Sequence, residues 1–517
     1  MKMKKLIALL LCLVVALTAC GGTGSSTAGS TPAADASSGS APAAPSGEVE
    51  EIVFATWTIN SPPSEEGLQA VEDAINEITV DKIGVKVDYQ VYPVAEYFNK
   101  VSMELQSGGQ IDAFCALQNF QTILSSDMCY DITDLVDANC PDVKELIPED
   151  WWDCVSLDGR IYALPAWLPS ALYINLTWRS DIAEELEISL DDVNSVEDLT
   201  EVFAKVKASY PEMYPLIGGN AGFGGWTGMT YAIPGVDSMG DSPLMPAGVL
   251  MGDSDTVVNL FETEEYAEQM ALVRDWYQKG YIMQDLVTYT GTNIDLLAAG
   301  NGFANITGQG GHPDYVATNA SNQTGQPLEG KALGNAVINT NNVTNQPFCV
   351  ASTSKHPEAA LKFLNLTYCD ADIANLIQWG IKDRDYVVNE DGTVQPPEGF
   401  DSASVPYPGG YMNYGNMYSG LEYPAVGTSQ ESVEFGVDNN YNAKHSHSFG
   451  FVFDPSNVTA QYAAVNNVIM QYYCGLDCGS VDPETAIPEF NQALKDAGID
   501  EIIAEKQAQY DAWKAAQ

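Results

Sequence analysis

Between residues 50 and 117 the hydrophobic pattern alternates between two periods, and this constrains the fold more than any other feature of the chain. "EEIVFATW" (50–57) is a nearly continuous apolar run ending in Trp57 and reads as a buried strand. "SEEGLQAVEDAINEIT" follows, with Leu68, Val71, Ile75 and Ile78 at helical spacing and acids in the first turn. "GVKVDYQVY" alternates Val85, Val87, Tyr89 and Val91, as a half-buried strand does. "EYFNKVSMELQSGG" is a helix closed by Gly108 and Gly109, and "IDAFCAL" is a third strand. Strand, helix, strand, helix, strand predicts an α/β layer with a parallel sheet.

A second α/β run follows. "RIYALP" ends one strand and "SALYINLTW" begins another, with Tyr162, Trp167, Tyr173 and Trp178 spread around Pro165 and Pro169. The helix "SVEDLTEVFAKVKASYP" is expected to open at Ser195, with Asp198 at the capping-box position. A glycine-rich loop occupies 218–228. Thr263 caps a helix that stops at Gly280, and "GFANITGQGG" (302–311) is a strand running into a loop. Residues 345–368 give a strand, a turn and a helix with Pro357 in its first turn. A Tyr- and Gly-rich loop (407–423) precedes the last helices. A chain of 517 residues exceeds one ordinary core, so two or more lobes are expected.

The first residues read as a targeting segment. Lys2, Lys4 and Lys5 precede the apolar run Leu6 to Ala16, which is too short to span a bilayer comfortably, and Leu17-Thr18-Ala19-Cys20 closes it. This resembles the lipobox of bacterial lipoproteins, which implies removal of residues 1–19 and a lipid on Cys20. Residues 20–48 are small, polar and nearly uncharged, the composition of a flexible tether. The expected place is therefore the outer face of the bacterial cell membrane.

A formal charge of −48, from 70 acidic and 22 basic residues, argues against a nucleic-acid partner. Eight of the ten cysteines lie beyond Cys20. They are read as disulfides or as free buried thiols, and sequence cannot choose. No zinc spacing is present, and His445 with His447 reads as a surface pair, so no metal or cofactor is expected. There is no GxSxG and no GxxxxGK, so a Ser hydrolase and a nucleotide hydrolase are disfavoured. The Asp191-Asp192 pair leaves a glycosidase as an alternative, and a sequon at Asn305-Ile306-Thr307 means little behind a lipobox.

The ordered set of segments resembles the family-1 extracellular solute-binding proteins, receptors of bacterial ABC importers. "DGRIYALP" with "ALYIN", "PFCVASTSKHPEAALKFL" and "VVNLFETEEYAEQMALVRDWYQKGYI" carry the likeness. "WGIKDRDYVV", "FGFVFDPSNVTAQYAAVNNVI" and "PEFNQALKDAGIDEIIAEKQAQYDAW" resemble the C-terminal domain of one lipoprotein subgroup. The resemblance implies a two-lobed periplasmic-binding-protein-like fold with several interlobe crossovers (type II) and a helical C-terminal extension. Lobe 1 would take 49–167 and 346–408, and lobe 2 would take 168–345 and 409–517. Crossings are expected near 165–172, 341–348 and 405–420. It implies a non-enzymatic monomer that binds a neutral oligosaccharide between the lobes and delivers it to permease subunits in the membrane. A peptide receptor and a glycoside-cleaving lipoprotein are the alternatives.

Sugar binding needs flat rings for C–H faces and planar polar groups for hydroxyls. The candidate platforms are Trp57, Trp167, Trp226 and Tyr411. The candidate polar contacts are Asp112, Gln118, Asn119, Gln309 and Asn416. Only four Arg (160, 179, 274 and 384) could clamp an anionic sugar.

Overall fold

The computed structural model describes residues 49–220, 224–410, 415–417, 420–426 and 430–517, apart from the side chains of Gln309, Gln430 and Ser432. Cys20 and Tyr411 lie outside the described residues. In chain order, β1 (Glu50–Thr58), α1 (Glu65–Ile83), β2 (Val85–Pro93), α2 (Val94–Ser107) and β3 (Ala113–Cys115) form the first alternating run. The second comprises β4 (Leu172–Arg179), α3 (Leu199–Ser209), β5 (Tyr214–Ile217), α4 (Glu264–Gln278), α5 (Asn293–Ala298), β6 (Gly302–Gln309), α6 (Pro313–Thr324) and β7 (Leu328–Ile338). Then come β8 (Phe348–Val350), α7 (Pro357–Cys369), α8 (Ala371–Trp379), α9 (Gln430–Asn442) and β9 (Lys444–His445). Three long helices finish the chain: α10 (Thr459–Asp477), α11 (Pro483–Ala497) and α12 (Ile499–Ala516).

Local sequence explains the element ends. Ser64 accepts the Gly67 amide at the start of α1, and Gly84 ends that helix at φ +69°, its amide meeting the Thr79 and Val80 carbonyls. The α3 helix starts later than its pattern suggests. The Asp198 carboxylate accepts the Asn194 and Ser195 amides, so those residues form a turn ahead of the helix. Thr263 caps α4 and Pro357 opens α7.

The first sheet has the order β8-β3-β1-β2. Its β1–β2 and β1–β3 pairs are parallel, and β8 joins β3 antiparallel. The second has the order β9-β7-β4-β6-β5, with β4 antiparallel to both neighbours. Each sheet has its own large apolar core. The first runs from Ile52 to Ala171, resumes at Ile338 and Phe348, and extends through Ile377 to Tyr407. The second begins at Leu176, includes Ile306 and Leu333, and closes with residues from Phe451 to Tyr510. The chain thus changes core at 171–176, 333–338 and 449–453. The last change comes after the expected 405–420, because Met417, Val437 in α9 and Phe449 pack on the first core. This is a two-lobed α/β fold with a helical C-terminal region.

A buried ion pair ties the last helix to the second core. Lys506 and Asp241 are both fully buried and stand 2.6 Å apart. Asp241 also accepts Tyr462 Oη at 2.6 Å and the Ala247 amide at 2.8 Å, while Lys506 donates to Gly248 O at 3.2 Å. Breaking one side of such a pair strands a charge, at a cost of about 3–5 kcal/mol. Lys506→Met is expected to lose about that much in chemical denaturation, and K506M/D241N to recover part of it. A single variant as stable as the parent would contradict this account.

Candidate functional site

Two cavities flank the end of the second sheet where the chain crosses between cores. One, of about 730 Å³, is walled by Tyr173, Ile174, Leu333, Glu197, Asp237 and His445, among others. The other, of about 720 Å³, draws on both cores: Gln118 follows β3, Met417 packs on the first core, and Thr177 and Asn305 belong to the second sheet. They share Leu172, Tyr231, Pro243, Gly308 and Asn342 as a common wall. Both fall within the roughly 300–1,000 Å³ range of small-molecule sites.

The second cavity has an unusual lining for this chain. None of its described wall residues is Asp, Glu, Lys, Arg or His, although the formal charge is −48. Eight carry side-chain amides, among them Gln118, Asn305, Asn319, Asn341 and Asn345. Tyr231 and Tyr315 supply rings with hydroxyls. Amides both donate and accept in one plane, so this wall matches hydroxyl groups without adding charge. Among its described residues the arrangement offers binding contacts but no paired carboxylates or nucleophile–base pair.

Tyr231 is held from several sides. Trp226 meets its ring edge-on at 5.5 Å between centroids, and Gly308 leaves room where a Cβ would stand 3.4 Å from it. Its loop is fixed by Asp477 at the end of α10. One Asp477 oxygen accepts the Thr227 amide at 2.6 Å and Thr227 Oγ1 at 2.9 Å; the other accepts the Thr230 amide at 3.2 Å and Thr230 Oγ1 at 2.9 Å. Burial first, and then the Asp477 charge, push the Tyr231 hydroxyl up to about 12, so it remains a donor at neutral pH.

The candidates read from sequence are distributed unevenly around this site. Gln118 lines the cavity, from a backbone held at φ +56°. Gln309 lies between the lining residues Gly308 and Gly310, with its backbone paired to Tyr173. Trp226 stands behind Tyr231 and is not among the wall residues. Trp167 reaches neither cavity: it is 2% exposed, wedged between Trp151 and Tyr441 at 5.3 Å from each. Trp57 lies inside the first core with its indole N–H unpartnered. Asp112 is structural in its contacts, accepting the Val53 amide and Ser354 Oγ. Asn119 donates to Leu117 O, and Asn416 donates to Tyr368 O beside Trp167. The sequence reading missed Tyr231, Tyr315, Asn305, Asn319 and Asn345. One available signal was the polar alternation Asn305, Thr307, Gln309 in a strand expected to be central.

Other motifs resolve into surface or core. Asp191 and Asp192 are exposed, and Lys331 reaches the Asp191 carbonyl rather than a carboxylate. His445 faces Asp150 at 3.5 Å and stacks on Phe449, while His447 meets Asp255 at 2.6 Å. Lys514, and then His447, hold the Asp255 carboxyl down to about 2. All eight cysteines beyond Cys20 are free thiols and seven are buried; burial pushes Cys474 up to about 11. Among the described residues, no group of His, Cys, Asp and Glu is arranged to hold a metal ion, and no helix is long and apolar enough to cross a membrane.

A family profile described as bacterial extracellular solute-binding protein matches residues 73–381, more than half of the chain. The chain belongs to the bacterial extracellular solute-binding proteins. Membership places it outside the cytoplasm. A separate domain of unknown function, DUF3502, matches residues 447–515. A carbohydrate ABC transporter substrate-binding protein of Streptococcus pneumoniae serotype 4 is 25% identical over 446 residues, spanning 84% of this chain and 86% of that one. The crystal structure of the N-glycan transport solute-binding protein NgtS from Streptococcus pneumoniae superposes with a TM-score of 0.75 at 23% identity, covering 90% of this chain and 98% of that one. An HMO-binding solute-binding protein from Bifidobacterium longum infantis gives 0.61 at 14% identity, covering 90% and 99%. These likenesses establish a shared two-lobed fold.

Gln118 offers a direct check on this candidate site. A left-handed backbone costs a residue with a Cβ about 1–2 kcal/mol and costs glycine little. Gln118→Gly is expected to keep or slightly raise stability while weakening ligand binding several-fold, measured by calorimetry beside thermal unfolding. Full affinity in that variant would remove Gln118 from the site.

Proposed function

We propose that this protein is the receptor of an ABC importer for a neutral oligosaccharide, bound in the amide-lined cavity that draws on both cores. The observation that carries the reading is the absence of charge among the described residues of that wall, in a chain with 70 acidic residues. An anionic solute would find no counter-charge there, and a cationic one no carboxylate. Hydroxyls would find amides, and the C–H faces of a sugar would find Tyr231 and Tyr315. The relatives point the same way: the pneumococcal relative is named for carbohydrate, and NgtS has been crystallised in complex with Man5GlcNAc.

In this reading the two cores are the lobes, and closure brings Gln118 and Met417 against the residues of the second sheet. Solute bridges both walls only when they approach, so it shifts the open–closed equilibrium toward the closed form. Cys20 would carry the lipid that keeps the receptor beside its permease, with residues 20–48 as tether. The protein binds and hands over its solute unchanged.

A thermal-shift and calorimetry screen against neutral oligosaccharides, carboxylated sugars and peptides tests this. A neutral glycan at a hundred times its Kd is expected to stabilise the protein by about 2.7 kcal/mol, with carboxylated sugars and peptides silent. Recovered glycan is expected to be intact by mass spectrometry after prolonged incubation. Preference for an anionic sugar or a peptide, or steady release of shorter products, would overturn the proposal.

A further inference from the structure

Helices α5 and α6 cover one face of the second sheet, where an α/β layer ordinarily packs apolar side chains. That packing is present at the edges: Ile217, Leu296, Leu297, Ala317 and Leu328 form a small cluster of their own. At Gly330 on β7 the helix approaches so closely that a Cβ would stand 2.5 Å from Pro313 O. Over β4 and β6 the layer is different. Cross-strand partners Thr177 with Asn305, and Asn175 with Thr307, put four small polar side chains on this face, while Leu176, Ala304 and Ile306 face the second core. Helix α6 answers them with Asn319 and Gln323. The space between is open and continuous with the uncharged cavity, whose wall includes Thr177, Asn305, Leu297, Asn319 and Ala320.

Asn305 marks this gap as a site. It is 7% exposed, yet its Oδ1 meets no donor within the protein. The Oδ1 of neighbouring Asn175 is likewise unpartnered, while its Nδ2 donates to Thr177 Oγ1 at 2.9 Å. A buried acceptor left without a donor costs about 1–3 kcal/mol. Two of them on one sheet face are tolerated where something else supplies the donors. Apolar residues would have closed this layer and stabilised the lobe.

We propose that the gap between α5, α6 and the β4–β6 face is a subsite for the terminal ring of the solute, an uncharged polyhydroxylated unit that slides beneath α6. Asn305 Oδ1 accepts one of its hydroxyl hydrogens, and the Asn319 amide contacts the ring from the helix side. The subsite therefore sets both the length and the charge of the accepted chain end: a terminal ring bearing a carboxylate is excluded. This rests on the carbohydrate reading above.

The test is calorimetry on the protein with a ladder of neutral manno- and gluco-oligosaccharides differing by one ring, against Asn305→Leu and, separately, Ala320→Phe. Asn305→Leu removes the acceptor at similar volume; Ala320→Phe fills the gap from the helix. The parent is expected to gain affinity in a step at the length that reaches the gap. Each variant is expected to lose that step, so that its affinity falls about five- to tenfold more for members that reach the gap than for shorter ones. A step that persists in both variants, or a loss spread evenly over all lengths, overturns the subsite and leaves the carbohydrate reading standing. A parent that binds no member of the ladder overturns both.

Discussion

One buried carboxylate joins the C-terminal helices to the wall shared by the two cavities. Asp477 ends α10 and receives two backbone amides and two hydroxyls from the turn at Thr227–Thr230. Four donors converging on a buried anion replace the water it has lost, and they fix the turn in one geometry. The residue after that turn is Tyr231, which belongs to both cavities. Cys478 continues the same contact, its thiol meeting Gly225 O at 3.0 Å. The region matching a domain of unknown function is therefore part of the architecture of the site rather than an appendage to it.

Charge is partitioned between outside and inside. Most of the acidic residues lie on solvated faces, and of the fully buried carboxylates Asp241 is matched by Lys506 and Asp477 by the amides and hydroxyls of Thr227 and Thr230. The cavity that draws on both cores is left with dipoles alone. Its amides keep their hydrogen-bonding capacity as external pH or salt changes, because side-chain amides do not titrate and ionic screening acts on net charges. The 730 Å³ cavity, with Glu197 and His445 in its wall, is of a different chemical kind although it shares five residues with the uncharged one.

The α/β layers were legible because they depend on local periodicity. The strand at 50–58 and the helix at 65–83 can be read from spacing and caps that lie within a few residues of one another. Site geometry depends on long-range partners and was read less well. Nothing near Trp167 announces that Trp151 and Tyr441 will close on it and remove it from the surface. Asp112 looks like a polar contact at a strand end, and only the fold brings Ser354 to it. Gln118 was legible because it lies just past the C-terminal end of β3, a strand of the parallel part of the first sheet. Asn305 and Thr307 were visible as polar alternation, but their meaning needed the helix that covers them.

The two sheets are interleaved along the chain. Strand β8 completes the first sheet only after β4 to β7 of the second have been made, and the second core is not closed until Tyr510 arrives. Neither half is a contiguous segment, so neither can be released as an autonomous fragment by a single cut. Most of the polypeptide must therefore be made before either core is complete, since the first gathers its last residue at Val452 and the second at Tyr510, which leaves a long threadable chain for any machinery that moves it across a membrane unfolded.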